Sequence, residues 1–271
     1  MIRKEELTLV QDWDKTFAKS DKVDHCKVTF VNRYGITLAA DMYVPKDAEG
    51  KLPAIAVCGP FGAVKEQCSG LYAQTMAERG FITVAFDPSF TGESGGNVRY
   101  MASPDINTED FMAAVDFLSL CDKVDPDRIG IIGICGWGGM AINTAALDTR
   151  IKATVASTMY DMTRVNANGY FDSEDSEEQR YEKRKAMCAQ RLADLKAGEL
   201  GKHDIQKNNV VDAVLRHRHR FLTVISTVRL IAVLLKAETQ SLNDQLFIVN
   251  DQYLRHLLSF LPEAVPKVCL K

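Results

Sequence analysis

The residue of this sequence best placed for covalent chemistry is a cysteine inside a glycine-rich stretch. Cys135 lies at the centre of residues 133–139, which read Gly-Ile-Cys-Gly-Trp-Gly-Gly. A β-branched apolar run precedes it at 128–132, and small helix-forming residues follow at 140–147. A strand-to-helix corner of this kind lifts one side chain out of the sheet, beside the free backbone N–H groups of the helix start. The pattern predicts a nucleophile elbow that carries a thiol.

Alternating strands and helices must position this thiol. Two alternating runs, 26–31 and 37–44, flank a turn and predict a hairpin at a sheet edge. Apolar runs predict further, buried strands at 52–58, 81–86, 128–132 and 153–157. Helices are predicted over 65–79, 107–120 and 140–147. This rhythm predicts an α/β fold with a mostly parallel sheet, helices on both faces and a ligand site at the carboxyl ends of the strands.

Composition excludes several classes of function. The 271 residues carry a formal net charge of −3 with both signs interspersed, which gives no electrostatic case for nucleic acid or an anionic membrane. The longest apolar stretch, 221–235, contains Arg229 and is too short to span a bilayer. The seven cysteines are scattered without metal-ligand spacing and are interpreted as reduced thiols. We therefore expect no metal or organic cofactor. Because the N-terminus lacks a signal-peptide pattern, we also expect a cytoplasmic protein.

The sequence changes character after residue 159. Residues 174–199 are strongly charged helix formers, so 160–200 is predicted to form a helical cap or lid, with a solvated surface helix as the alternative. No glycine follows Gly201 and no proline lies between Pro126 and Pro262, which is unusual for a continuing α/β sheet. Residues 246–249 fit a strand, and 221–235 fit a helix or strand. The basic run 216–220 is interpreted as a solvated turn rather than an anion site.

The motifs together resemble the α/β-hydrolase superfamily, in particular its dienelactone-hydrolase-like and acyl-peptidase-like branch. The matching stretches follow one another in the family's order, at 32–41, 59–67, 85–87 with 92–96, and 133–136. The resemblance covers about residues 13–199. It implies a hydrolase core whose first part is 1–159, a cap at 160–200, and a divergent segment 201–271 that either completes the core or packs poorly.

The resemblance also implies roles for individual residues. Cys135 stands where the family has its nucleophile, which is more often a serine. The backbone N–H of Gly136 would be one oxyanion donor, and Phe61 would supply the other because Pro60 has no N–H. A helix start and neighbouring amides favour the thiolate, so the pKa of Cys135 is predicted to be lowered. The implied function is hydrolysis of a small-molecule ester, thioester or lactone through a Cys135 acyl-enzyme.

Two departures from the family pattern stand beside this interpretation. Trp137 lies two residues after the nucleophile, where a small residue is usual, and the flanking glycines are expected to absorb its bulk. Residues 202–271 match neither the family's acid nor its histidine. His256 follows strand-like 246–249 and Asp251 and is the candidate base, with one position of an ordinary amphipathic helix as the alternative, because leucines surround it. A catalytically impaired or non-catalytic binding protein is therefore the alternative, with Cys135 as a buried structural thiol.

Three further residue sets have structural interpretations. His25 lies in the hairpin, well before the elbow in chain order, and is not expected to be the base. Asp87 and Glu93 are expected to fix their loop by accepting backbone N–H bonds. Trp13 and Phe17, four residues apart, predict a short helix pinned to the body of the domain.

Overall fold

The computed structural model describes residues 4–173 and 176–198 together with the backbone of one strand at 246–249. Its strands are β1 (Val23–Val31), β2 (Thr37–Pro45), β3 (Leu52–Cys58), β4 (Ile82–Phe86), β5 (Val124–Ile134), β6 (Ile151–Ser157) and β7 (Leu246–Val249). Its helices are α1 (Cys68–Ala77), α2 (Pro104–Ser119), α3 (Gly136–Leu147), α4 (Met162–Asn168) and α5 (Glu177–Ala197).

The seven strands form one sheet in the order β1-β2-β4-β3-β5-β6-β7. β1 and β2 are the predicted edge hairpin, and β2 is antiparallel to β4. The other neighbouring pairs are parallel. Because the order reverses at β3, the loops that follow β3 and β5 meet at one edge of the sheet, where α/β proteins bind ligands.

The central strands are apolar on both faces because helices cover both sides of the sheet. On β3, Ala54 and Ala56 belong to the core beneath α2 and α3, whereas Ile55 and Val57 belong to the core beneath α1. A strand buried on both faces needs a continuous apolar run, which is what 52–58 provides. The predicted doubly wound arrangement is thus confirmed over the described residues.

Two helices begin at residues that differ from those predicted, and one predicted helix is absent. Helix α2 begins at Pro104 rather than near residue 107, since Ser103 has the extended backbone of an N-cap and proline is favoured in the first turn. Helix α1 begins at Cys68, three residues later than predicted. The short helix predicted around Trp13 and Phe17 is wrong: that segment is irregular, although the two rings pack edge to face at 5.7 Å.

The segment after β6 is helical where it is described. It contains α4, a 3-10 turn at Tyr170–Asp172, and α5. The strand predicted at 246–249 is present as β7, which pairs in parallel with β6 through Ala153↔Leu246 to Ala156↔Val249. The predictions for 216–220 and 221–235 concern residues outside the described part of the chain. Among the described helices, none is long and apolar enough to cross a membrane.

Candidate active site

Cys135 occupies the corner between β5 and α3, as the sequence predicted. Its backbone has φ 59° and ψ −126°, in the left-handed half of conformational space that a residue with a side chain rarely adopts. Hydrogen bonds hold the corner on both sides: the Cys135 N–H donates to the Ser157 carbonyl at 2.8 Å, and the Cys135 carbonyl accepts from Gly138 at 2.9 Å. A strained conformation of this kind persists only where its surroundings fix it, and it is a frequent mark of functional sites.

Two backbone N–H groups converge on the Cys135 sulfur. They belong to Gly136, the first residue of α3, and to Phe61, in the turn after β3. The register between β3 and β5 brings them together, because Cys58, the last residue of β3, lies opposite Gly133, two residues before the thiol. The pair chosen from the sequence as oxyanion donors is therefore the pair whose N–H groups face the sulfur.

The predicted direction of the Cys135 pKa is wrong. The thiol is 7% exposed, and burial raises its pKa above the ordinary value, although the N–H groups of Gly136 and Phe61 act in the opposite direction. No charged side chain of the described chain adds to these effects. The cost of burying a thiolate thus outweighs two backbone hydrogen bonds, and Cys135 rests as the neutral thiol.

This raised pKa predicts how the thiol responds to pH. Below its pKa a thiol gains about tenfold in thiolate fraction for each pH unit, and the thiolate is the reactive form. We expect the rate constant for alkylation of Cys135 by iodoacetamide to rise steadily from pH 6 to pH 8, as followed by peptide mass spectrometry. A plateau within that range would show instead that the thiolate is already formed near neutral pH.

Apolar and aromatic side chains surround the thiol. A Cβ placed on Gly136 would lie 2.7 Å from the Met162 Sδ and 3.2 Å from the Phe61 Cδ2, so both side chains lie directly against the elbow. Tyr170 interacts electrostatically with Cys135, and its ring packs edge to face on Tyr160 at 5.4 Å. Met162, Tyr160 and Tyr170 come from the segment after β6, and no motif marked them in the sequence.

A second thiol lies close to the first. Cys68, the first residue of α1, packs against the core cluster that contains Cys135. Burial, with a smaller contribution from Cys135, raises the pKa of Cys68 to about 11. The six described cysteines are free thiols, in keeping with the predicted reduced state.

Trp137 fits because its side chain turns into the core and not toward the thiol. Its ring packs edge to face against Phe86 and Phe111, with centroids 6.3 Å and 5.8 Å away. The backbone of the elbow then approaches β5 closely, and a Cβ at Gly133 would overlap the Trp137 carbonyl oxygen. Gly59 also leaves room for Trp137, because a Cβ there would lie 2.9 Å from the Trp137 Cβ, so the glycines that lie against this residue include Gly59 and Gly133.

The structure gives the thiol no base from the part of the chain it describes. His25 is the one histidine in residues 4–198, and its Nε2 lies 2.8 Å from the Asp41 Oδ1. β1 lies four strand spacings from β5, which is about 19 Å at roughly 4.8 Å per spacing. His25 is therefore not the partner of Cys135, as expected. His256 and Asp251 lie outside the described residues.

Asp87 and Glu93 fix their loop as predicted. The Asp87 carboxylate accepts backbone N–H bonds from Lys65 at 2.8 Å and from Glu93 at 2.9 Å, and the Glu93 carboxylate accepts one from Val10 at 2.6 Å. Both carboxylates also bind the Lys65 ammonium, at 2.8 Å and 2.7 Å. Sequence reasoning missed Lys65, because its partners lie 22 and 28 residues further along the chain.

Three carboxylates near this lysine are close enough together to suggest a cation site. Oxygens of Asp14, Glu66 and Glu93 lie within 4.8 Å of one another. The Lys27 ammonium reaches all three, at 3.2, 3.5 and 2.7 Å. Because this ammonium already supplies the positive charge that the carboxylates require, the group is interpreted as an ion-pair cluster.

The sheet order, the elbow and the converging N–H groups define an α/β-hydrolase fold. The chain belongs to the X-Pro dipeptidyl-peptidase (S15) family, whose sequence profile matches residues 34–228. The α/β hydrolase GrgF from Penicillium sp. sh18 has the same fold, with a TM-score of 0.59 at 19% identity over 74% of this chain and 68% of that one. The superfamily resemblance drawn from the motifs is thereby confirmed.

Two relatives are similar in sequence. Protein PA2218 of Pseudomonas aeruginosa is 66% identical over 194 residues, which cover 71% of this chain and 52% of that protein. Its crystal structure matches with a TM-score of 0.72 at 58% identity, over 79% of this chain and 69% of that one. The thiohydrolase aneE of Aspergillus aculeatus is 30% identical over 137 residues, which cover 51% of this chain and 42% of aneE. The chain thus matches about half the length of these relatives.

Proposed function

We propose that this protein hydrolyses a small ester, thioester or lactone through an acyl-enzyme on Cys135. The observation that carries the proposal is the elbow itself. A cysteine is held at φ 59° between β5 and α3, and the N–H groups of Phe61 and Gly136 converge on its sulfur. A strained corner with two converging donors suits acyl transfer and serves no evident packing purpose.

The proposed reaction has two halves. The Cys135 thiol gives up its proton to water and its sulfur attacks the substrate carbonyl carbon, while the carbonyl oxygen becomes an oxyanion that accepts hydrogen bonds from the Phe61 and Gly136 N–H groups. The carbon–oxygen or carbon–sulfur bond to the leaving group then breaks, and the departing alcohol or thiol takes up a proton. Water attacks the resulting thioester in the second half and releases the acid and the free thiol.

The surroundings of Cys135 favour an uncharged acyl group. Met162, Tyr160 and Phe61 are apolar or aromatic neighbours, and no charged side chain in the described ranges acts on the sulfur. Burying a charged acyl group against such a surface would cost its hydration without a compensating ion pair.

We also propose that residues 160–200 form a cap over the thiol. Met162 and Tyr170, which lie beside the elbow, would face the substrate.

Thioesters are the favoured substrates within this class. Transfer of an acyl group from one sulfur to another exchanges similar bonds, so it makes modest demands on the acid–base groups of the site. The similarity to aneE, which is named a thiohydrolase, supports the same choice. His256 stays the proposed base for the second half of the reaction.

A specific observation favours a second candidate, a binding protein that does not turn over. The pKa of Cys135 is raised, and residues 4–173 and 176–198 bring no histidine to its sulfur. Without a base the thiol could be acylated once, but the thioester would not be hydrolysed efficiently.

One experiment separates the two candidates. Mixing the protein with p-nitrophenyl butyrate should give steady release of p-nitrophenolate and, on intact-mass analysis, a butyryl adduct that maps to Cys135. A p-nitrophenyl ester of succinate, which carries a carboxylate in its acyl group, should react more slowly. One equivalent released without turnover would favour the binding protein, and absence of both adduct and release would rule out the nucleophile.

A further inference from the structure

The loop that carries Phe61 is tied to the neighbouring strand at two points. Lys65 lies in this loop, four residues after Phe61. Its backbone N–H donates to the Asp87 Oδ1 at 2.8 Å, and its ammonium donates to the Asp87 Oδ2 at 2.8 Å. Asp87 is the residue directly after β4. Its carboxylate accepts hydrogen bonds from both the backbone N–H and the ammonium of Lys65 and so attaches the loop to the sheet.

This attachment is buried and electrostatically strong. The side chains of Lys65 and Asp87 are both fully buried. Burial alone would lower the pKa of Lys65, but the carboxylates of Asp87, Glu66 and Glu93 outweigh it and raise that pKa, so the lysine stays charged. A buried ion pair whose remaining hydrogen bonds are satisfied resists rearrangement, since either partner alone would be an unpaired charge in the interior.

Close packing also holds the Asp87 carboxylate in place. A Cβ added at Gly92 would overlap the Asp87 carboxyl group, so this glycine lets the loop backbone lie against it. Gly92 has φ 55° and is followed by Glu93, whose N–H donates to the Asp87 Oδ2 at 2.9 Å. The Asp87 carboxylate is thus held by Lys65, by the Glu93 N–H and by the backbone of Gly92.

We propose that Asp87 is a positioning residue, which acts through Lys65 to hold the Phe61 N–H against the Cys135 sulfur. The consequence for catalysis rests on the proposed function, because it treats Phe61 as an oxyanion donor. The consequence for the thiol does not, because the Phe61 N–H already acts on the pKa of the Cys135 thiol in the resting protein.

The variant Asp87→Asn tests this inference because it keeps the shape of the side chain and removes its charge. If the Phe61 N–H leaves the sulfur, the pH profile of Cys135 alkylation by iodoacetamide should move to higher pH. The rate of acylation by p-nitrophenyl butyrate should fall about 100-fold at fixed pH, the lower end of what loss of one oxyanion donor costs, because the donor is displaced and not deleted. Loss of stability alone would change neither quantity in the folded protein.

Asp110→Asn is the matched control. Asp110 is also a fully buried carboxylate and accepts hydrogen bonds from Asn32, Ser89 and Asn107, but it has no bond to the loop of Phe61. Its variant should lose stability while the alkylation profile and the acylation rate stay those of the parent. Equal shifts in the two variants would overturn the assignment to Asp87.

A second variant covers the case in which Asp87→Asn does not fold. Glu93→Gln removes one partner of the Lys65 ammonium at a partly exposed position, and it should shift the alkylation profile in the same direction by a smaller amount. An unchanged profile in every variant that folds would overturn the inference. If the parent protein is alkylated but never acylated, the proposed function fails, and the alkylation profiles still decide the role of Asp87.

Discussion

Replacing Cys135 by alanine should abolish the adduct with p-nitrophenyl butyrate and the associated release of p-nitrophenolate. The sulfur is the only nucleophilic atom held against the N–H groups of Phe61 and Gly136 in the described part of the chain. The fold should tolerate the change at a cost of about 1 kcal/mol, because only one heavy atom leaves a buried site. Burst amplitude by stopped-flow, and the unfolding midpoint in urea, measure the two expectations.

Cys68→Ala is the matched control for this loss. Cys68 is a second thiol, partly buried and packed beside the same core, but it lies at the start of α1 and not at the corner between β5 and α3. Its removal should leave the burst amplitude and the site of acylation unchanged. A burst that survives in Cys135→Ala and disappears in Cys68→Ala would transfer the nucleophile to α1 and remove the elbow from the mechanism.

The position of the candidate site followed from local sequence rules. A glycine-rich corner after a β-branched run fixes where β5 ends and α3 begins, and the absence of an N–H on Pro60 points to Phe61 as the next donor in its loop. The position of the elbow and the choice of Phe61 each depend on residues within a few positions of one another. That the two lie together depends on the parallel sheet, which the alternation of strands and helices predicts.

The energetics of the site depended on residues far apart in the chain. The direction of the Cys135 pKa is set by how deeply the thiol is buried, and that burial comes from packing of α1, β6 and the segment after it. The sequence marked Lys65 only as the first residue of the helix predicted over 65–79, since its carboxylate partners Asp87 and Glu93 arrive from the loop after β4. Met162 had no motif, because contact with the elbow depends on how its segment returns to the sheet.

Replacing Gly133 by alanine should destabilise the protein more than the same change elsewhere on β5. A Cβ at Gly133 would overlap the Trp137 carbonyl oxygen and approach the Ala141 Cβ to 2.7 Å. Both are held by helix α3, so the clash cannot be relieved by rotating a side chain. We expect a loss of about 3 kcal/mol in the free energy of unfolding, the upper end of what overpacking usually costs, measured by urea denaturation.

Gly130→Ala is the matched control, because Gly130 lies on the same strand and, like Gly133, does not have a positive φ. Its Cβ would meet the Ala153 carbonyl at 3.2 Å and the Ala153 Cβ at 3.6 Å, contacts that a small shift of β6 relieves. Its variant should therefore lose much less stability than Gly133→Ala. Because Gly133 supports α3 beneath the thiol, its variant should also change the rate of Cys135 alkylation under native conditions, whereas Gly130→Ala should not. Equal losses of stability would mean that α3 can move away from β5, and the rigid corner on which the oxyanion geometry depends would then be absent.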